Sequence, residues 1–187
     1  DKDKKTDKDS KAKKNKQQWI FRNARPHESW PSLFCWSHIE DSGNERALLS
    51  SQLHSNFGIF KCNDFCVISR SQQPIVLGLH PSNKSLVVKT WVNNLPPDAK
   101  GNVFAGDATS SYKNAFTFRT AWRTLLDSKV LWRHDWTVKV DPDAVFYPER
   151  LRWHVAKYTK PPHGPGPFYL LNCAIGGGKL YGALEVV

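Results

Sequence analysis

Apolar positions along this chain fall into short runs separated by proline, glycine, asparagine and aspartate. Arg25-Pro26 and Trp30-Pro31 force extended backbone in the irregular stretch that comes first. Leu33-Phe34-Cys35-Trp36 then reads as a first buried strand. Asp41-Ser42-Gly43-Asn44 makes a turn and helix cap, and Ala47, Leu48, Gln52 and Leu53 mark a short amphipathic helix closed by Asn56 and Gly58. A second strand is predicted to start at Gly58-Ile59-Phe60 and to run through Cys62-Asn63-Asp64 into Phe65-Cys66-Val67-Ile68. Strand, helix, strand is the order of a parallel βαβ unit.

Further along, Ile75-Val76-Leu77 and Leu86-Val87-Val88 are strand candidates, and Asn93 to Pro97 is a loop. From Tyr112 the pattern becomes helical, with Phe116, Phe118, Ala121, Trp122 and Leu125-Leu126 on one stripe. Trp136, Val138 and Val140 alternate with Thr137 and Lys139, the period of a strand. That strand stops at Asp141-Pro142-Asp143, because proline removes a backbone donor. Ala144-Val145-Phe146 follows, and Pro148 opens the helical segment PERLRWHVAKY. After a Pro/Gly loop, Phe168 to Leu171 reads as a last strand leading to Gly176-Gly177-Gly178. The expected fold is α/β, a Rossmann-like, mostly parallel sheet with helices on both faces.

Composition changes this picture at the ends more than in the middle. The net charge of +10 invites a nucleic-acid reading, but much of it sits in DKDKKTDKDSKAKKNK. That segment has no apolar period, and its interleaved aspartates weaken phosphate binding. Residues 1–18 are expected to be a solvated, disordered tail and 19–187 a single domain with no nucleic-acid partner. The absence of methionine reads as a piece of a longer or processed chain. No apolar stretch is long enough to span a bilayer, so membrane attachment is expected only through a segment outside this sequence. Of Cys35, Cys62, Cys66 and Cys173, the first reading is buried thiols, the second one or two lumenal disulfides, the last half a zinc site at Cys62-x-x-x-Cys66. Asn83-Lys84-Ser85 is a glycosylation sequon, a pattern that also arises by chance.

Candidate chemistry centres on Asp141 and Asp143. Carboxylates are rarely buried unless paired or on a metal. One reading is a turn in which Asp141 caps its own backbone and Asp143 faces water. The other is a site for Mn²⁺ or Mg²⁺, hard cations that take carboxylate oxygens and complete their shell with substrate phosphates. Spacing alone favours the turn. Lys139 alternates away from Val138 and Val140, toward Asp135 or the acidic pair. Asp64, read as lying after the second strand, has two equal readings, one in the same crevice near a base or ribose and the other a turn role. His134 is read as a surface residue.

The block DWTVKVDPDAVFYPERLR resembles the metal-binding segment of glycosyltransferases with the A-type fold. It is most similar to the family of β-1,3-galactosyltransferases, core 1 galactosyltransferase and Fringe, which has W-x-x-K-x-D-D-D-x-x-x-x-x-x-x-L-R here. Trp136, Lys139, Asp141, Asp143, Leu151 and Arg152 match, and Pro142 departs. Proteins from single-celled algae with no assigned function carry a similar block. The resemblance implies the donor-binding half of an A-type glycosyltransferase, a hexosyltransferase passing sugar from a nucleotide donor such as a UDP-sugar to a glycan or glycoprotein acceptor. It implies Asp141 and Asp143 on Mn²⁺ or Mg²⁺, with Lys139 beside them and Lys113 or Arg119 meeting the phosphates. Gly177 and Gly178 would let backbone approach the sugar. It also implies a Golgi or other secretory lumen, and a catalytic base in the part that follows the glycines, outside this chain. The rival expectation is a noncatalytic module binding carbohydrate or protein, with Trp19, Trp30, Trp91 and Trp153 in an exposed row.

Overall fold

The computed structural model describes residues 30–40, 43–93, 115–158, 169–170 and 184–187, which apart from Trp30 belong to one compact unit, Pro31–Val187. Strand β1 is Leu33–Ile39, longer than its apolar run because Ser37 and His38 continue it. Helix α1 is Glu45–His54 and begins after Asn44, whose side chain makes no capping bond. Its buried face is Leu49 and Leu53, while Leu48 is exposed, so the face is rotated one residue from the expected stripe. Asn56 (φ 48°) and Gly58 (φ 62°) reverse the chain, as expected. The predicted start of the second strand is corrected here. Gly58–Lys61 is a 3-10 turn, and β2 is Asp64–Ser69.

Strands β3 (Val76–Leu79) and β4 (Val87–Lys89) pair antiparallel as a separate two-stranded sheet. A two-residue strand, β5 (Trp91–Val92), then joins the main sheet. Helix α2 is Ala115–Ser128, β6 is Trp136–Val140, α3 is Pro148–Val155 with its proline in the first turn, and β7 is Leu184–Val186. Tyr169 and Leu170, within the last predicted strand, are not in a strand, although Leu170 N–H bonds to Val186 O at 3.0 Å.

The main sheet has the order β5-β2-β1-β6-β7, all parallel except β7. Leu33, Cys35 and Ile39 pack with Leu49 and Leu53 of α1 and Val155 of α3. Phe34 and Trp36 face the other way and pack with Ala121 and Leu125 of α2. The period of two in β1 therefore feeds two cores, and the fold is α/β with helices on both faces.

Cys35 and Cys62 form a disulfide, which corrects the first expectation of buried thiols for these two and disposes of the zinc reading. Cys66 is a free buried thiol, as expected, and burial, helped by Asp64, pushes it well above the ordinary thiol range. No described helix is long and apolar enough to cross a membrane. The tail, Trp19, Lys113, Cys173, Gly177 and Gly178 lie outside the described residues.

Candidate functional site at the strand-order reversal

From β1 the chain steps outward to β2 and β5, then returns through α2 to β6 on the opposite side of β1. Strand order thus reverses between β1 and β6. In open α/β sheets, ligands bind outside the carboxyl ends of strands at such a point. Ladder pairing between β1 and β6 ends at Trp36–Lys139, whereas β1 stays paired with β2 as far as Ile39–Ser69. Beyond Lys139, Ser37 Oγ donates to Val140 O at 2.6 Å and bridges the two strands.

The acidic pair stands at this mouth. Ala144 N–H donates to Asp141 O at 3.0 Å, closing Asp141–Ala144 as a β-turn with Pro142 buried inside it. Gln52 Nε2 of α1 donates to Pro142 O at 2.8 Å and ties the turn down. A Cβ at Gly58 would meet Gln52 Oε1 at 2.7 Å, so that glycine makes room for the tie. Asp143 is exposed and Asp141 half-buried.

Lys139 resolves the question of where its side chain goes. Its Nζ lies 3.0 Å from Asp141 Oδ1 and 3.4 Å from Glu185 Oε1, and 4.2 Å from the centre of the Phe118 ring. Asp135, the other expected partner, is at the opposite end of β6. There its carboxylate accepts Ser32 N–H at 2.7 Å and Ser32 Oγ–H at 2.8 Å. Lys139 is buried to 3% exposure, so its ammonium acts on a ligand chiefly through the carboxylate it orients.

His38 is a site residue that spacing alone did not reveal. It ends the β1 side of the gap, buried, with its ring edge-on to Phe118 at 5.9 Å. Among the described residues, Nε2 has no hydrogen-bond partner. Desolvation first, then the charges of Arg70 and Lys139, lower its pKa from 6.5 to about 4, against a smaller opposing effect of Asp141. The imidazole is therefore neutral at pH 7. Because the folded state resists protonation, its contribution is complete above pH 6.5 and is lost as pH falls toward 4. The full shift is on the order of 3 kcal/mol. We expect acid to destabilise the wild type through this window, and His38→Leu to flatten the dependence. Urea unfolding on either side of the window measures it, and parallel curves for the two proteins would refute the assignment.

Asp64 is corrected. It opens β2 rather than following it, and Phe34 pairs with both Asp64 and Thr137. Asp64 is thus level with Thr137, about 13 Å along the strands from Asp141 at ~3.3 Å per residue. It cannot share the crevice. Its Oδ2 is instead 3.8 Å from His134 Nε2. His134 is corrected with it: its side chain is 11% exposed, tucked against Phe34 at 5.9 Å by the 3-10 turn Val130–Arg133.

Arg152, the arginine of the L-R match, also lies at the far edge. Its Nη2 donates to Asn63 Oδ1 at 2.8 Å, and that oxygen also accepts Leu33 N–H at 2.9 Å. It fastens α3 to the amino ends of the strands. Arg119 is exposed on α2, next to Phe118. Glu40, just after β1, pairs with Arg70 at 3.5 Å, adding charged groups to the carboxyl edge.

Among the described residues, no cluster of three or more His, Cys, Asp or Glu could hold a metal. Asp141 and Asp143 supply two hard carboxylates, one with an oxygen committed to Lys139. Such a set does not suit a closed structural site, but suits a cation that brings phosphate and water ligands with it. A groove of about 420 Å³ between α1 and the β3–β4 hairpin, lined by residues such as Leu53, Leu77 and Lys84, lies away from the acidic turn. Trp132 and Trp153 are exposed, but Trp30 and Trp91 are half-buried, so the described tryptophans do not form the expected exposed row. Compared with known proteins, the chain matches no family model, no curated protein and no solved structure.

Proposed function

We propose that the chain binds a nucleotide-sugar donor with a divalent cation, as the donor-binding part of an A-type glycosyltransferase acting on a glycan or glycoprotein. The observation that carries the reading is the acidic turn Asp141–Asp143 at the carboxyl end of β6, where strand order reverses. Asp141 and Asp143 would hold Mn²⁺ or Mg²⁺. When bound, the cation neutralises the diphosphate and stabilises charge on it as leaving group.

The chain's own residues do the positioning. Lys139 orients Asp141, the Gln52 tie fixes the turn's backbone, and exposed Asp143 is left available. Arg119 and Lys113 remain the proposed phosphate contacts, and Gly177 and Gly178 the proposed approach to the sugar. A disulfide between buried Cys35 and half-buried Cys62 supports an oxidising compartment, in keeping with a Golgi or other secretory lumen.

Calorimetric titration of UDP with and without Mn²⁺ tests the reading. We expect binding that requires the metal. A folded protein that binds UDP equally with and without Mn²⁺, or not at all, would overturn it.

A further inference from the structure

The β3–β4 hairpin carries its own chemistry at its tip. His80 N–H bonds to Leu86 O at 2.8 Å and Leu86 N–H to Asn83 O at 3.0 Å, folding the connection back on itself. Inside it, Ser85 N–H donates to Asn83 Oδ1 at 3.1 Å, an Asx turn. The carbonyl end of the Asn83 amide is thereby used, and Nδ2 has no partner among the described hydrogen bonds. Asn83, Lys84 and Ser85 are all exposed. A transferase that modifies asparagine needs the amide nitrogen and the hydroxyl two residues on together, on a surface turn, and the tip supplies both.

Two further observations agree. Leu79 and Val87 are direct cross-strand partners below the tip, yet are 49% and 44% exposed, and Leu86 beside them is 53% exposed. A carbohydrate on Asn83 would cover this apolar ground, which is otherwise an association hazard. The Cys35–Cys62 disulfide is the mark of an oxidising compartment.

We propose that Asn83 is an N-glycosylation site, taking an oligosaccharide from a lipid-diphosphate donor in the secretory lumen. Asn83 Nδ2 forms a bond to the anomeric carbon, the bond from that carbon to the phosphate oxygen breaks, and the lipid diphosphate leaves with the electron pair. One amide proton passes to a base of the transferase. The proposal rests on the lumenal part of the functional reading and not on the donor site.

The full chain, secreted behind a leader from a eukaryotic cell, tests it. We expect a single mobility step removed by peptide N-glycosidase, after which the tip peptide reads aspartate at position 83 by mass. Ser85→Ala, which leaves Asn83 in place, and Asn83→Gln each abolish the step, while Ser85→Thr keeps it. Secreted wild type with the Cys35–Cys62 disulfide formed and Asn83 unmodified overturns the proposal. Metal-dependent UDP binding by Ser85→Ala is expected to persist, so the two readings fail separately.

Discussion

Replacing Lys139 with methionine is expected to destabilise the protein by about 3 kcal/mol. Removing one partner of a buried ion pair costs roughly 3–5 kcal/mol, since the remaining charge is left buried without compensation. The lower end applies because Asp141 and Glu185 keep 34% and 21% of their side-chain surface. Methionine keeps most of the aliphatic stem and removes the ammonium, including its contact 4.2 Å from the centre of the Phe118 ring, so the loss reports charge rather than packing. Urea unfolding measures it, and adding Glu185→Gln is expected to recover part of the loss because one orphaned charge disappears with it. A Lys139→Met protein as stable as the wild type would show that the cluster contributes nothing net.

Breaking the Cys35–Cys62 disulfide is the second large effect. The bond closes a loop of sequence separation 27 between β1 and the segment before β2. Chain-entropy arguments give about 3.5 kcal/mol for a loop of that length. Cys35→Ala with Cys62→Ala adds a packing loss, since Cys35 is wholly buried in the core that holds Leu33 and Val138. Unfolding of oxidised and reduced wild type separates the two contributions. Coincident curves would refute the assignment. Cys66 serves as an internal control: its buried thiol is expected to resist alkylation until the protein unfolds.

Several elements were legible because a local rule and the fold agreed. Alternation across Trp136–Val140 gave β6, and Pro148 marked the first turn of α3. The acidic pair was legible as both a turn and a site, and the closed Asp141–Ala144 turn is compatible with either. Pattern and fold part where apolar runs lack a period. Gly58-Ile59-Phe60 reads as strand, yet it is a 3-10 turn that buries the same side chains. Read as strand, it puts Asp64 at the carboxyl edge of the sheet, whereas Asp64 opens β2 at the amino edge. β5, two residues long, has no period to detect. His38 was invisible for a different reason. A lone histidine in a strand signals nothing until register places it at the gap beside β6 and α2 supplies Phe118. The disulfide likewise depends on parallel pairing that carries Cys62 beside β1.

The role proposed for the acidic turn is to hold a metal and a nucleotide diphosphate. Asp141 is a poor single probe, because its loss also breaks the 3.0 Å pair with buried Lys139 and leaves that ammonium on Glu185 alone. Asp143 is exposed, so Asp143→Asn changes charge at the site with little cost to stability. The most direct measurement is calorimetric titration of UDP in Mn²⁺ for wild type and Asp143→Asn, with unfolding curves of both. The variant is expected to lose at least tenfold in affinity, about 1.4 kcal/mol, at unchanged stability. Equal UDP affinity in the two proteins would contradict it and leave the acidic pair a turn.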